Sequence, residues 1–439
     1  MALFGLEGFR ASIPEGVKTI DGSIVIACRR EFESVAKKNF RKSPYRKHLL
    51  LDPQLYLTHL DPARCKSRCA ALATYDWFER GDLPEKRTDK SRTQTKWRDK
   101  SKRIIHKHWT GKLPTGKALE AAVRSVAQTQ TQIGCEAVIL AAPLTVNPNS
   151  DLALELDWLD RGLHAARRNS LFPSPVYATV ALSDRVLSGI NPFENAIVDT
   201  IIDQISAREI DGVYIVLELS NLSGYYLASG DAVGALLRLV DGFRRAGVKR
   251  IIVNYATVAA LLAAAAGADT ICTGWYRSER RLNLNELPDE DGGIAVPAYY
   301  SHSLASEINV GDDLMRVVRA GRLHDFADET EFSAGLLRAL RDGKTPGNVP
   351  EWEHRKGNHT ASRGHFYSAI GRELGAIVGC DEKQRFEYAQ RWLNTAVKLA
   401  DAMSSLSDPR NDPLNSRTEV THQLGWQKAF EQFMKQRAS

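Results

Sequence analysis

Two carboxylates and a set of aromatic side chains fall where apolar stretches of this sequence end. Asp52 closes the apolar run of LLLDPQLY (residues 49–56), and Glu218 closes that of DGVYIVLEL (residues 211–219). Tyr225, Trp275, Tyr276, Arg277 and Tyr300 lie at or just beyond other such ends, with Ser183, Asp184, Asn254, Tyr255, Thr273 and His302. Few carboxylates and many aromatic faces suit a planar heterocycle. A carboxylate accepts from ring N–H groups, and stacking contributes about 1–3 kcal/mol per base. The same aromatics also suit plain packing at the rim of a sheet.

The elements that would position these residues follow from the chain's rhythm. From about residue 118, apolar strand-like runs alternate with single helical stretches: CEAVILAAP, PVYATVALS, DGVYIVLEL, VKRIIVNYA, ADTICTG and GIAVPAYYS are the strands. Unbroken apolar strands separated by helices indicate parallel pairing with both sheet faces covered. The expected fold is α/β, a (β/α)8 TIM-type barrel with a basic insertion and a helical C-terminal extension; a doubly wound open sheet is the alternative. Both put ligands at the carboxyl ends of strands. The division expected is an N-terminal strand-containing segment (1–48), a barrel (49–306) with the insertion at 82–117, and a helical extension (307–439).

Charge is distributed unevenly. The chain carries a net +6, yet residues 86–117 hold twelve Lys/Arg and two Asp, a local +10 that leaves −4 for the remainder. Lys96, Trp97, Arg98, Lys102, Arg103, Lys107 and Trp109 interleave cations with indole rings, the composition that meets a phosphate backbone and unstacked bases. DNA or RNA is the partner this segment would take; a solvated loop is the bland reading of the same residues.

Hydrophobic residues at 43% allow a sizeable core. The longest apolar run, ATVAALLAAAAGA, is too short and alanine-rich to span a bilayer, and the first residues lack the pattern of a signal peptide. Six scattered cysteines give no disulfide framework, so a cytoplasmic setting is expected. Cys65 and Cys69, spaced i, i+4, have only His59 nearby and read as structural rather than zinc-binding. His354, His359 and His365 fall in a polar stretch that reads as a surface linker.

Residues 49–300 resemble the tRNA-guanine transglycosylase family, whose (β/α)8 barrel exchanges a guanine for a 7-deazaguanine. The stretches that carry the resemblance are LLLDPQLY, residues 126–168, IDGVYIVLEL, and ATVAALLAAAAGADTICTGWYRSERR (residues 256–281). The family's nucleophilic Asp belongs within Ile271 to Thr273, where no Asp stands; Asp269 comes two residues too early. Its base-reading Asp and Gln fall near Ala142 or Pro143 and near Ala181 or Leu182, and its Gly-Gly turn is replaced by LELSN. Only Asp52 and Arg277 carry over. The zinc site of three cysteines and a histidine has no counterpart after Leu282, so no cofactor is expected.

Base exchange through a covalent sugar intermediate needs an attacking carboxylate and a proton-transfer group. Cys272 and Thr273 are the side chains left at the nucleophile's place, and each also reads as a small core residue. Asp52 and Glu218 are the candidate catalytic groups; Tyr225, Trp275, Tyr276, Arg277 and Tyr300 are the candidate base-binding ones. The resemblance further implies a homodimer, operon-partner proteins, and a role in deazaguanine DNA modification or antiphage defence. The expectation is a divergent barrel serving as a nucleic-acid- or nucleobase-binding component of such a system, with an active base-exchange enzyme using a relocated carboxylate as the alternative.

Overall fold

The computed structural model describes residues 2–7, 17–26, 48–59, 115–168, 175–187, 196–220, 229–284, 297–354, 359–408 and 410–438. Tyr225, the Cys65/Cys69 pair and the candidate nucleic-acid residues Lys96, Trp97, Arg98, Lys102, Arg103, Lys107 and Trp109 lie outside them.

Eight strands form one parallel sheet: β1 (Ala2–Glu7), β2 (Gly22–Ile26), β3 (His48–Asp52), β4 (Val138–Ile139), β5 (Val176–Ser183), β6 (Gly212–Glu218), β7 (Arg250–Asn254) and β8 (Thr270–Gly274). Consecutive strands pair except β3 and β4, and β1 pairs with β8, with Phe4 opposite Cys272, so the strand order is circular. The remaining gap is bridged where Glu136 N donates to Leu49 O at 2.9 Å. This is the (β/α)8 TIM-type barrel, nearly closed.

Alternation along the strands sorts side chains into two cores, as the two-residue pleat requires. Phe4, Ala181, Tyr214, Val216, Ile252 and Cys272 fill the barrel, while Leu3, Val180, Val213, Ile215, Val253 and Ile271 face the surrounding helices. Those helices are α1 (Gly116–Ile133), α2 (Pro148–Arg168), α3 (Ala196–Ser206), α4 (Gly230–Arg245) and the short α5 (Ala260–Ala265). Gly247 ends α4 at φ 85°, a conformation that only glycine adopts without strain.

The β3/β4 seam is closed by a side chain. The backbone N–H of Ile139 donates to Gln130 Oε1 at 2.8 Å, and Gln130 Nε2 donates to Ile139 O at 2.6 Å. The buried amide of a helix thus supplies both bonds that a neighbouring strand would make.

After the barrel come an antiparallel hairpin of β9 (Ala298–Ser301) and β10 (Ser306–Asn309), then α6 (Asp312–Arg319), α7 (Leu323–Phe326), α8 (Ala334–Arg341), α9 (Thr360–Ile377), α10 (Glu382–Ser404) and α11 (Gln423–Ala438). The expected boundaries shift here. β1 and β2, read as a separate N-terminal segment, are barrel strands, obscured in the sequence because β1 sits at the extreme start and β2 is five residues long. GIAVPAYYS supplies β9, which lies outside the barrel. The C-terminal part is also more than an extension: Phe366, Tyr367, Ile370, Leu374 and Ile377 of α9 share one core with Leu3 and Ile271, so α9 occupies the helix position that follows β8. Tyr367 fastens it by donating to Thr273 O at 2.6 Å. Among the described residues no helix is long and apolar enough to cross a membrane.

Candidate active site at the strand ends

Asp52, at the carboxyl end of β3, is fully buried and surrounded by hydroxyl groups. Its Oδ2 accepts from Tyr56, from Tyr214 of β6 at 2.8 Å and from Tyr255 at 3.4 Å; its Oδ1 accepts from Gln54 N at 3.0 Å. The outer partners are fixed in turn. Asn254 Nδ2 donates to Tyr214 Oη at 2.5 Å, and Gln54 Nε2 donates to Tyr255 Oη at 3.0 Å. Gln54, Tyr255 and Thr257 all sit at positive φ (55°, 61° and 51°), a conformation costly for side-chain-bearing residues and held only where the surroundings over-determine it.

Burial pushes the Asp52 carboxyl up to about 6, against the lowering effect of its hydrogen bonds from Tyr56, Tyr214, Gln54 and Tyr255. The same desolvation, with Asp52 beside them, pushes the Tyr56 and Tyr214 phenols well above their usual range. All these side chains are buried, and among the described residues they form a polar layer inside the barrel whose hydrogen bonds run from one member to the next.

Glu218 ends β6 on the inward side, in phase with Tyr214 and Val216. It accepts from Ser183 Oγ at the end of β5, and burial is the largest cause of its raised pKa. Next to it Asp184 is taken up by the backbone N–H (2.9 Å) and hydroxyl (2.5 Å) of Ser220. At β8, where the resemblance implies a nucleophile, Cys272 points inward and Thr273 outward. Cys272 is buried and its thiol is pushed far up by desolvation, the opposite of what thiolate chemistry requires. The Asp52 carboxylate is near enough to be felt, and it adds to the rise of the Cys272 thiol.

Trp275, Tyr276 and Arg277 join the barrel to the C-terminal part. Trp275 is buried and stacks on Tyr367 at 5.6 Å between centroids. Arg277 pairs with Glu307 of β10 and donates to Arg417 O at 2.9 Å; Arg280 binds the same carboxylate at 2.5 Å and lies 3.4 Å over the Phe366 ring. Tyr300 is buried edge-on to Phe366. Trp275 and Tyr300 therefore offer no ring to a base, because the contact between barrel and C-terminal part covers them. Tyr276 stays half-buried. The structure brings Asp52 together with residues the sequence reading did not single out as site residues, chiefly Gln54, Tyr56 and Tyr214. Tyr214 had a signal: it shares the strand face of Glu218 in an otherwise aliphatic run.

The zinc ion that the resemblance implies does not fit the residues present. After β8 the cysteine is Cys380, whose thiol donates to Ala376 O at 3.3 Å. His365, read as part of a surface linker, is instead buried within α9. Thr330 Oγ1 (2.9 Å) and Tyr300 O (2.8 Å) engage its two ring nitrogens, Tyr299 stacks on it at 4.5 Å, and burial lowers its pKa to about 4. Among the described residues no three His, Cys, Asp or Glu side chains gather to hold a metal ion. No family model matches the sequence, and no curated protein matches it.

Proposed function

We propose that this chain is a transglycosylase-like barrel that keeps the fold without the exchange chemistry, and that it serves as a nucleic-acid-binding component of a deazaguanine-linked antiphage defence system. The observation that carries the reading is the state of Asp52. The one carboxylate at a family-matching position is buried, and three tyrosines donate to the same oxygen of it. An inert Cys272 and an Arg277 used in an ion pair support the same conclusion.

The nucleic-acid part rests on the basic segment. In sequence it lies between the turn at Leu55–His59, which follows the carboxyl end of β3, and α1, whose first two residues close it. The described chain that precedes it ends beyond the carboxyl end of β3, and the carboxyl ends of strands are where barrels of this kind bind ligands. Binding of single-stranded and duplex DNA and RNA to the full chain and to a form lacking residues 86–117 tests it. The expected result is strong, salt-sensitive binding by the full chain only; equal binding by both forms removes the segment's role.

One observation favours active base exchange as a second reading. An Asp52 carboxyl held near 6 shares its proton near neutral pH, as a general acid or base must. Incorporation of labelled 7-deazaguanine into nucleic acid, lost in both Asp52→Asn and Glu218→Gln, would establish that reading instead.

A further inference from the structure

Residues 280–284, shortly after β8, lie across the carboxyl ends of β6 and β7. Leu282 forms a parallel bridge with Glu218, and Arg281 an antiparallel one with Ala256. Leu219 N donates to Leu282 O at 2.8 Å, and Thr257 N donates to Arg280 O at 3.0 Å. The segment is anchored at its start, where Arg280 pairs with Glu307. Leu282 is 2% exposed and belongs to the inner core with Val216, Ile252, Tyr255 and Cys272. A side chain of this crossing segment thus fills the barrel interior at the strand ends, where barrels of this kind take their ligands.

The polar groups beneath it are poorly served. Glu218 is 1% exposed, and Ser183 donates to its Oε2. Its Oε1 has no hydrogen-bond partner among the described residues, although the Leu284 backbone lies near enough to temper the rise of its pKa. Thr257, one residue past the second bridge, sits at φ 51° with its Oγ1 buried and likewise without a partner. Buried acceptors and hydroxyls in that state are rare in native structures, and strained backbone collects where a fold has something to switch. Leu282 fills the space beside Glu218 and offers its carboxylate no donor. An N–H group on an apolar ring would supply what is missing and replace the leucine's packing.

We propose that residues 280–284 are an autoinhibitory strap seated in a ligand site at the ends of β6 and β7, and that the ligand displacing it is a planar N–H donor of the amidine class, held by the Glu218 carboxylate. With the strap seated, the site is closed and Leu282 stands in for the ligand's ring. Nothing in this device depends on the basic segment or on nucleic-acid binding.

Hydrogen exchange at the Leu219 and Thr257 amides reads the strap directly, because both donate to it. The full-length wild-type chain would be followed alone, with benzamidine, and with benzoate, which has the same ring and no donor. Calorimetry would give the affinities of both probes for wild type, Leu282→Ala and Leu282→Ala/Glu218→Gln. The two amides are expected to exchange by a local opening, faster than the amides within β6 and β7, and benzamidine speeds them further while benzoate does not. Leu282→Ala, with the strap less firmly seated, binds benzamidine about tenfold or more tighter than wild type, because more of the chain is open to it. Glu218→Gln in that background removes most of the gain. Strap-bound amides as protected as those of the strands, and unmoved by benzamidine, overturn the strap. Benzamidine affinity that is equal in wild type and Leu282→Ala, that Glu218→Gln leaves unchanged, or that is absent from all three chains overturns the ligand site. Should Leu282→Ala fail to fold, Leu282→Val takes its place, and exchange in the wild type still decides the strap.

Discussion

At the scale of single residues, the barrel interior stores protonation-dependent stability. Glu155 of α2 is fully buried, accepts from Thr145 Oγ1 and from Ala181 N at 3.3 Å, and burial raises it to about 8. Its folded pKa lies above its unfolded one. Its favourable contribution is therefore complete below the ordinary glutamate value of about 4.3, and is lost as pH rises through about 8. Asp52 behaves likewise over a narrower window that closes near pH 6. Glu155→Gln keeps both hydrogen bonds, its amide donating to Thr145, and removes a charge that never belongs in the core. Denaturant midpoints measured from pH 5 to pH 8 should fall less steeply in Glu155→Gln than in wild type, leaving the variant the more stable of the two by a few kcal/mol at the upper end. Identical pH slopes would show that Glu155 is solvated. Tyr214→Phe strips one donor from Asp52 and leaves the Asn254 amide without its acceptor, an expected loss of about 1–3 kcal/mol in urea unfolding.

At the scale of elements, the barrel depends on two joints. Gln130 stands in for a strand at the β3/β4 seam. Gln130→Leu keeps the helix and leaves the Ile139 N–H and carbonyl unpaired in the core, at an expected cost of about 1–3 kcal/mol for each group. Glu307 is the joint between barrel and C-terminal part. Glu307→Ala leaves the Arg280 and Arg277 charges facing one another under cover, which should cost about 3–5 kcal/mol and show as early exposure of Trp275 fluorescence on unfolding.

These joints also show what the sequence could tell. The regular alternation after residue 118 made β5 to β8 and the flanking helices legible, because periodicity is a local property. The seam was not legible, since Gln130 is one polar residue on a helix and its role depends on a strand gap nine residues away. Glu307 and Tyr367 carried no signal either; each acts through a contact some thirty to ninety residues distant. Asp52 was found because it ends an apolar run. Its tyrosine cage stayed hidden, because Tyr214 and Tyr255 reach it from across the barrel.

At the scale of the whole molecule, a mildly acidic body carries one segment of +10. On the proposed function, such a division would direct the protein to a polyanion by one part while the rest resists non-specific adhesion. The C-terminal part gives the barrel the outer helix that follows β8, so the two should unfold in one cooperative transition and not in succession. The central claim is that this barrel binds nucleic acid and does not rework it. The most direct measurement is the dissociation constant for an oligonucleotide as a function of salt, on the full chain and on the chain lacking residues 86–117. A steep log–log dependence in the full chain that largely collapses in the shortened one is the predicted result, whereas equal affinities and equal slopes for the two would contradict it.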